Sequence, residues 1–298
     1  MRLTYPFYIK TGLVIEVVAF LVKLTALLLV SGAAIFSETL HSLADLMDSL
    51  FVYVGMRLSL RPPDPSHPFG YGKEKFFWAL VTALFMITVT ATLSISKGVS
   101  QVLNPEPLHH VGFGIASMSV GVFLSLLTLA MGLYLIFRDK KVSVREFRNY
   151  LDPSVKVKVA EDVAAVAGNV LALAAIYAYS VTNSLLYDAL AAIVVGLILG
   201  FLGLMLAMES KNLIIGKSAT RQQKKVIVAA AFSVEEVVRV MDLKTMLMGP
   251  EEILVNIEVN LKDGLETDEV ERVMDAIRGR IQRAVPQARH IQVEVESQ

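Results

Sequence analysis

The sequence predicts an all-α membrane domain of six transmembrane helices followed by a small cytoplasmic α+β domain. Three observations predict it: long apolar runs fill residues 12–206, Lys and Arg gather in alternate loops, and beyond about Ser218 the pattern breaks into short helices and alternating strands. Composition agrees, since 54% of the 298 residues are hydrophobic and only 19% are charged, against roughly 25% charged in an ordinary soluble domain. Mean hydropathy is +0.57. The formal net charge of zero says nothing about an acidic or nucleic-acid partner; the membrane reading, not the charge, is why no nucleic acid is expected. With no cysteine, disulfides, thiolate metal sites and thiol redox chemistry are excluded, and any metal site must use His, Asp, Glu or backbone oxygen.

A helix needs about 20 residues to cross a bilayer, and windows of that length fall near 12–34, 36–60, 76–99, 112–137, 155–180 and 184–207. MRLTYPFYIKTG runs into the first window without a small-residue cleavage signal, so this segment reads as a retained span. The junction VSGAAIFSE is so short that spans one and two should be antiparallel neighbours, and spans five and six are joined as tightly around TNS. RPPDPSHPFGYGK closes the second span and LNPEPLHH separates the third from the fourth, both with helix-breaking residues. Arg2 and Lys10, then Arg57, Arg61, Lys73 and Lys75, then Arg138, Lys140, Lys141, Arg145 and Arg148, then Lys211, Lys217 and Arg221 mark one side. The opposite loops hold almost none, Lys97 being the nearest exception, so both termini are expected in the cytoplasm. No targeting presequence precedes the first span, which points to a prokaryotic host and a cell (inner) membrane location.

Domain boundaries follow at 1–210 for the membrane domain and 211–298 for the cytoplasmic one. In the second, RQQKKVIVAAAF reads as a helix, VVRVMDLKTMLMG and EEILVNIEVNL as strands, ETDEVERVMDAIRGRIQRAVP as a helix and HIQVEVE as a last strand. Ile253, Val255, Ile257 and Val259 alternate with polar residues, as do Ile291, Val293 and Val295, the signature of half-buried strands. Val270, Val273, Met274, Ile277 and Ile281 form one helical stripe that would cover a sheet face. The αββαβ order suggests an open sandwich of ferredoxin-like type. The sheet's other face invites a dimer partner, a loop or the membrane domain.

Chemistry concentrates in two spans. His41 and Asp45 stand four apart in SETLHSLADLMDSL, so one helix face presents an imidazole and a carboxylate to a common ion. Ionisable groups in hydrocarbon mark ion or proton pathways, and this donor pair suits zinc and related divalent ions, which take about four such ligands. The fifth span offers Glu161 and Asp162; adjacent residues diverge by about 100° on a helix, so one of them faces the second span fully and the longer Glu reaches around.

These stretches, with PPDPSHPFGYGKEKF, EDVAAVAG, YDALAAIVVGLILG and ESKNLIIG in that order, resemble the cation diffusion facilitator family over nearly the whole chain. The ED-x-AA pattern resembles the branch related to the zinc transporter 9 type. The resemblance implies a divalent-metal efflux transporter, usually a metal/proton antiporter working as a homodimer through its membrane and C-terminal domains. It implies an ion bound between spans two and five by His41, Asp45 and Asp162, the last lying six residues before Gly168. The family's partner ligand four residues before that aspartate is here Lys158, a departure that makes Glu161 the substitute and leaves the metal open. Zinc is favoured; cobalt and iron accept the same donors, and added carboxylates from Asp48 or Glu161 tilt the site towards manganese or iron. Asp64 and His67 stand at a spacing some family members use for a second site, though Tyr71 replaces a further histidine and a tight polar turn is the simpler reading.

Other polar residues read as structural. Glu16 and Lys23 suit interhelical or snorkelling contacts, His109 and His110 a solvated loop, Asp188 and Glu209 a structural role, and His290 an unmetallated or weakly metallated dimer module. No cofactor is expected beyond the transported ion. An intramembrane metalloenzyme would need a signature such as HExxH, which does not occur. A metal sensor or scaffold would have no need of polar groups buried in two spans, so a transporter, and not an enzyme, is the reading.

Overall fold

The computed structural model describes residues 5–140, 153–249 and 252–296. Arg2, Lys141, Arg145 and Arg148, which carry part of the charge-distribution argument, lie outside the described residues. The described chain divides into two compact units, 1–53 with 79–209, and 54–78 with 210–298.

The first unit is a helix bundle built from α1 (Tyr5–Val30), α2 (Ala33–Ser59), α3 (Glu74–Leu103), α4 (Val111–Lys140), α5 (Pro153–Thr182) and α6 (Leu186–Ile215), the flanking parts of α2, α3 and α6 belonging to the second unit. Among the described residues α1, α3, α4, α5 and α6 are long and apolar enough to cross a membrane. The 27-residue α2 is long enough, but Glu38, His41, Asp45, Asp48 and Arg57 lower its apolar character. Leu28, Phe123, Leu197 and Phe201 are exposed on the bundle, as lipid-facing residues are in the absence of lipid. Inside, Ala26, Ile35, Met118 and Ile176 pack in one apolar cluster and Ala44, Met86, Ala164 and Leu199 in another.

The expected tight junctions are present. Ser31 adopts a left-handed φ of 58° and turns α1 directly into α2. Lys23 on α1 bonds Glu38 on α2, and Glu16 bonds Ser49, pairings that run in opposite directions and make the two helices antiparallel neighbours. Asp188, at the start of α6, accepts hydrogen bonds from Ala33 N (2.7 Å) and Ala34 N (3.0 Å), capping α2 from 155 residues away in sequence. The cap satisfies two N–H groups that a helix start leaves without partners, and places a carboxylate at the positive end of the helix. Within α3, Met86–Ala91 is a π-helical segment; Thr88 and Thr90 donate to carbonyls four residues back and Thr92 to one five back.

The second unit contains α7 (Arg221–Phe232), β1 (Val237–Gly249), β2 (Glu252–Leu261), α8 (Thr267–Ala284) and β3 (Ala288–Val295). The αββαβ order is the one expected. The sheet runs β1-β2-β3, with β1–β2 antiparallel and β2–β3 parallel. Ile253, Val255, Ile257 and Val259 all face the core, where Val273, Ile277 and Ile281 of α8 and Ile227 and Ala231 of α7 cover them. Thr220 and Gln223 close α7 with a reciprocal capping box. The segment 54–78 packs with this unit: Gly72 lies against Gly249 and the Met248 carbonyl so closely that a Cβ would overlap them, and Lys73 Nζ donates to the Ile214 carbonyl at 3.1 Å.

Candidate metal site

On α2, residues 38, 41 and 45 recur at three- and four-residue spacing and therefore share a stripe. The stripe turns inward: Glu38 is fully buried and His41 is 2% exposed. Glu38 Oε2 accepts from Lys23 Nζ at 2.8 Å, Glu38 Oε1 lies 3.7 Å from His41 Nδ1, and His41 Nε2 lies 3.8 Å from Asp45 Oδ1. Both ring nitrogens thus face carboxylates at distances beyond a hydrogen bond, and Glu38 Oε1 has no hydrogen-bond partner among the described residues.

On α5, Lys158, Glu161 and Asp162 occupy a single turn. Lys158 Nζ is 3.7 Å from Glu161 Oε2 and 3.7 Å from Asp162 Oδ1. Between these helices and α1 and α4 lies a cavity of about 50 Å³, enough for a few waters. The carboxylates of Glu16, Asp45, Glu161 and Asp162 line it, with Lys23, Lys158 and the amide of Asn169.

The structure thus brings Asp45, Glu161 and Asp162 to one cavity and sets His41 behind Asp45, against Glu38. Among the described residues no three His, Asp or Glu side chains stand close enough to hold a metal ion; a bound ion would require these groups to draw together. Asp48 bonds Thr82 of α3. In the 54–78 segment, Asp64 Oδ1 accepts from Ser66 N, Ser66 Oγ and His67 N, and Oδ2 accepts from Tyr71 OH at 2.7 Å. His67 stacks beside the Tyr71 ring with centroids 4.2 Å apart. Hydrogen bonds from Ser66, Tyr71 and the His67 backbone hold the Asp64 carboxyl well below its ordinary range. Both oxygens are committed to a tight turn.

Glu16 and Lys23 make the interhelical contacts expected of them, and both also border the cavity. Asp188 has the structural role expected, as the cap of α2. His109 and His110 are exposed, and His290 meets Phe69 edge-on at 5.3 Å. Two polar residues escape a reading of the sequence alone. Glu38 stands inside the quoted SETLHSLAD run, three before His41, and that spacing is the signal that could have found it. Asn169 is 1% exposed, donates to the Ala165 carbonyl at 2.7 Å and leaves its own oxygen without a partner.

Comparison with known proteins addresses what such a cavity belongs to. A family model described as cation efflux transmembrane domain matches residues 9–215, and one described as cation efflux protein, cytoplasmic domain, matches 220–298. The chain belongs to the cation efflux family. Among its relatives in that family, the proton-coupled zinc antiporter SLC30A9, mitochondrial, of Xenopus laevis is 29% identical over 270 residues, 87% of this chain and 48% of the relative. Metal tolerance protein C4 of Arabidopsis thaliana is 26% identical over 224 residues, 74% of this chain and 49% of the relative. The cation-efflux pump FieF of Escherichia fergusonii is 24% identical over 266 residues, 89% of this chain and 84% of the relative. The chain spans about half the length of the first two relatives. Membership and the apolar helices make it a multi-pass membrane protein of a cation efflux transporter family.

Proposed function

We propose that this protein exports a divalent cation, with zinc as the substrate ion and protons as the counter-ion, from a site between α2 and α5 formed by His41, Asp45 and Asp162 with Glu161 as the further ligand. The observation that carries the reading is the cavity in which Asp45 of α2 and Glu161 and Asp162 of α5 share one wall. Its donors are nitrogen and oxygen only, and protons compete with metal for both. A site opening to the more acidic side therefore gains protons and releases its ion. Zinc and proton coupling also accord with the name of the SLC30A9 relatives. One observation favours a second reading: with four carboxylates on the wall and the imidazole set behind them, the donor set leans towards manganese or iron.

The same reading places the protein in the cell (inner) membrane with both termini cytoplasmic, supported by the basic loops, and makes it a homodimer through the C-terminal and membrane domains. Its Asp64–His67 turn, with both carboxylate oxygens engaged, contributes a folded connection and no second ion. Purified protein in liposomes under a proton gradient tests the proposal: zinc uptake is expected to saturate and to collapse in His41→Ala and Asp45→Asn. Unchanged uptake in His41→Ala defeats the assignment, absent uptake in wild type points to a sensor, and faster uptake of iron or manganese than zinc selects the second reading.

A further inference from the structure

We propose that Lys158 is a tethered cation: its ammonium occupies the carboxylates of the site while the site is empty, and the metal ion enters by displacing it. The inference rests on the functional reading above. Three observations carry it. Lys158 Nζ stands 3.7 Å from both Glu161 and Asp162, the two α5 carboxylates, and lines the same cavity as Asp45 and Glu16. The other ammonium on the cavity, Lys23, is held by Glu38 at 2.8 Å with a side chain only 4% exposed, so it is fixed to a carboxylate outside the cavity wall. Lys158 is held differently. Its distances exceed the roughly 2.7–2.9 Å of a charge-assisted hydrogen bond, and its side chain is 49% exposed. A compact charge on a flexible four-carbon stem at those distances can leave without breaking a tight bond.

The chemistry follows from charge alone, with Lys158 protonated throughout. Carboxylates gathered in a poorly hydrated cavity repel one another, and a resident monovalent cation relieves that repulsion when no ion is bound. A divalent ion replaces the ammonium and raises the charge of the site by one unit beyond it. On release the ammonium returns beside the counter-transported protons, so the carrier that recrosses with protons has no need of a metal to change sides. Lys158 is on this account a specificity-determining residue that weakens metal binding and hastens release.

The test uses full-length protein in detergent and in liposomes, with zinc as the probe. Lys158→Met is expected to tighten equilibrium zinc binding about tenfold or more and to slow turnover, while Lys158→Arg, which keeps the charge, stays near wild type. Zinc binding by Lys158→Met that is equal to or weaker than wild type overturns the inference. Asp45→Asn separates the two proposals: if it abolishes binding and Lys158→Met does not tighten it, only the tethered cation fails; if it binds zinc like wild type, the site itself is wrong. A measurement on the unaltered protein stands should Lys158→Met not fold. Zinc is expected to raise the rate at which acetic anhydride labels Lys158 severalfold, read by mass spectrometry, and an unchanged or lowered rate refutes the displacement.

Discussion

Two lysine–carboxylate arrangements border the same cavity and are built in opposite ways. Lys23 and Glu38 sit 2.8 Å apart with side chains 4% and 0% exposed, and α5 closes over them so tightly that a Cβ on Gly168 would overlap Glu38 Oε1. Lys158 faces Glu161 and Asp162 at 3.7 Å with half of its side chain exposed. A buried charge that loses a close partner is strongly penalised, and the long contacts of Lys158 to Glu161 and Asp162, whose side chains are 12% and 15% exposed, are the looser of the two sets. The first arrangement therefore behaves as scaffold and the second as a movable part, although both present an ammonium to one small space.

The largest way to break this contrast is Lys23→Met. It strands the Glu38 charge in a buried position and should lower stability by about 3–5 kcal/mol, read as thermal unfolding of the detergent-solubilised protein. Adding Glu38→Leu should restore most of that loss; if the single variant is as stable as wild type, the scaffold role is refuted. Asp188→Ala removes the acceptor of two buried N–H groups at the start of α2 and should cost about 2 kcal/mol by the same measurement. Lys158→Met leaves the largely buried Glu161 and Asp162 without their cation and should cost less than Lys23→Met by the same measurement, because its contacts are longer and its ammonium half exposed; a loss as large as that of Lys23→Met would erase the distinction. The smallest effect concerns Asp64. Its depressed carboxyl means that the turn's added stability is present at neutral pH and is lost as pH falls below the ordinary aspartate range. Protease nicking within 54–78 should accordingly rise on acidification, and Asp64→Asn should flatten that dependence.

Much of this architecture was legible in the residues because it depends on short-range periodicity. Ile253, Val255, Ile257 and Val259 alternate, and all four are buried; the stripe through Val273, Ile277 and Ile281 covers the sheet as its spacing implied. The six windows correspond to six long helices among the described residues, five of them apolar enough to cross a membrane, and α3 runs through its π segment over Glu74–Leu103. The site was legible only in part. Spacing tells which residues share one face of a helix but not which face of another helix they meet. Lys23 was thus visible without its partner Glu38, and Asp188 without the backbone it caps. His41 and Asp45 share one stripe of α2, yet nothing in their spacing shows that the imidazole sits behind the carboxylate.

The Asp188 cap has a mechanical consequence. Two hydrogen bonds anchor the first turn of α2, while Asp45 lies twelve residues further on, roughly 18 Å along the axis. A rod pinned at one end is a lever. Tilting it by about 5° about Ala33 would sweep Asp45 sideways by about 1.5 Å, the rise of a single helical residue, while hardly disturbing the pivot.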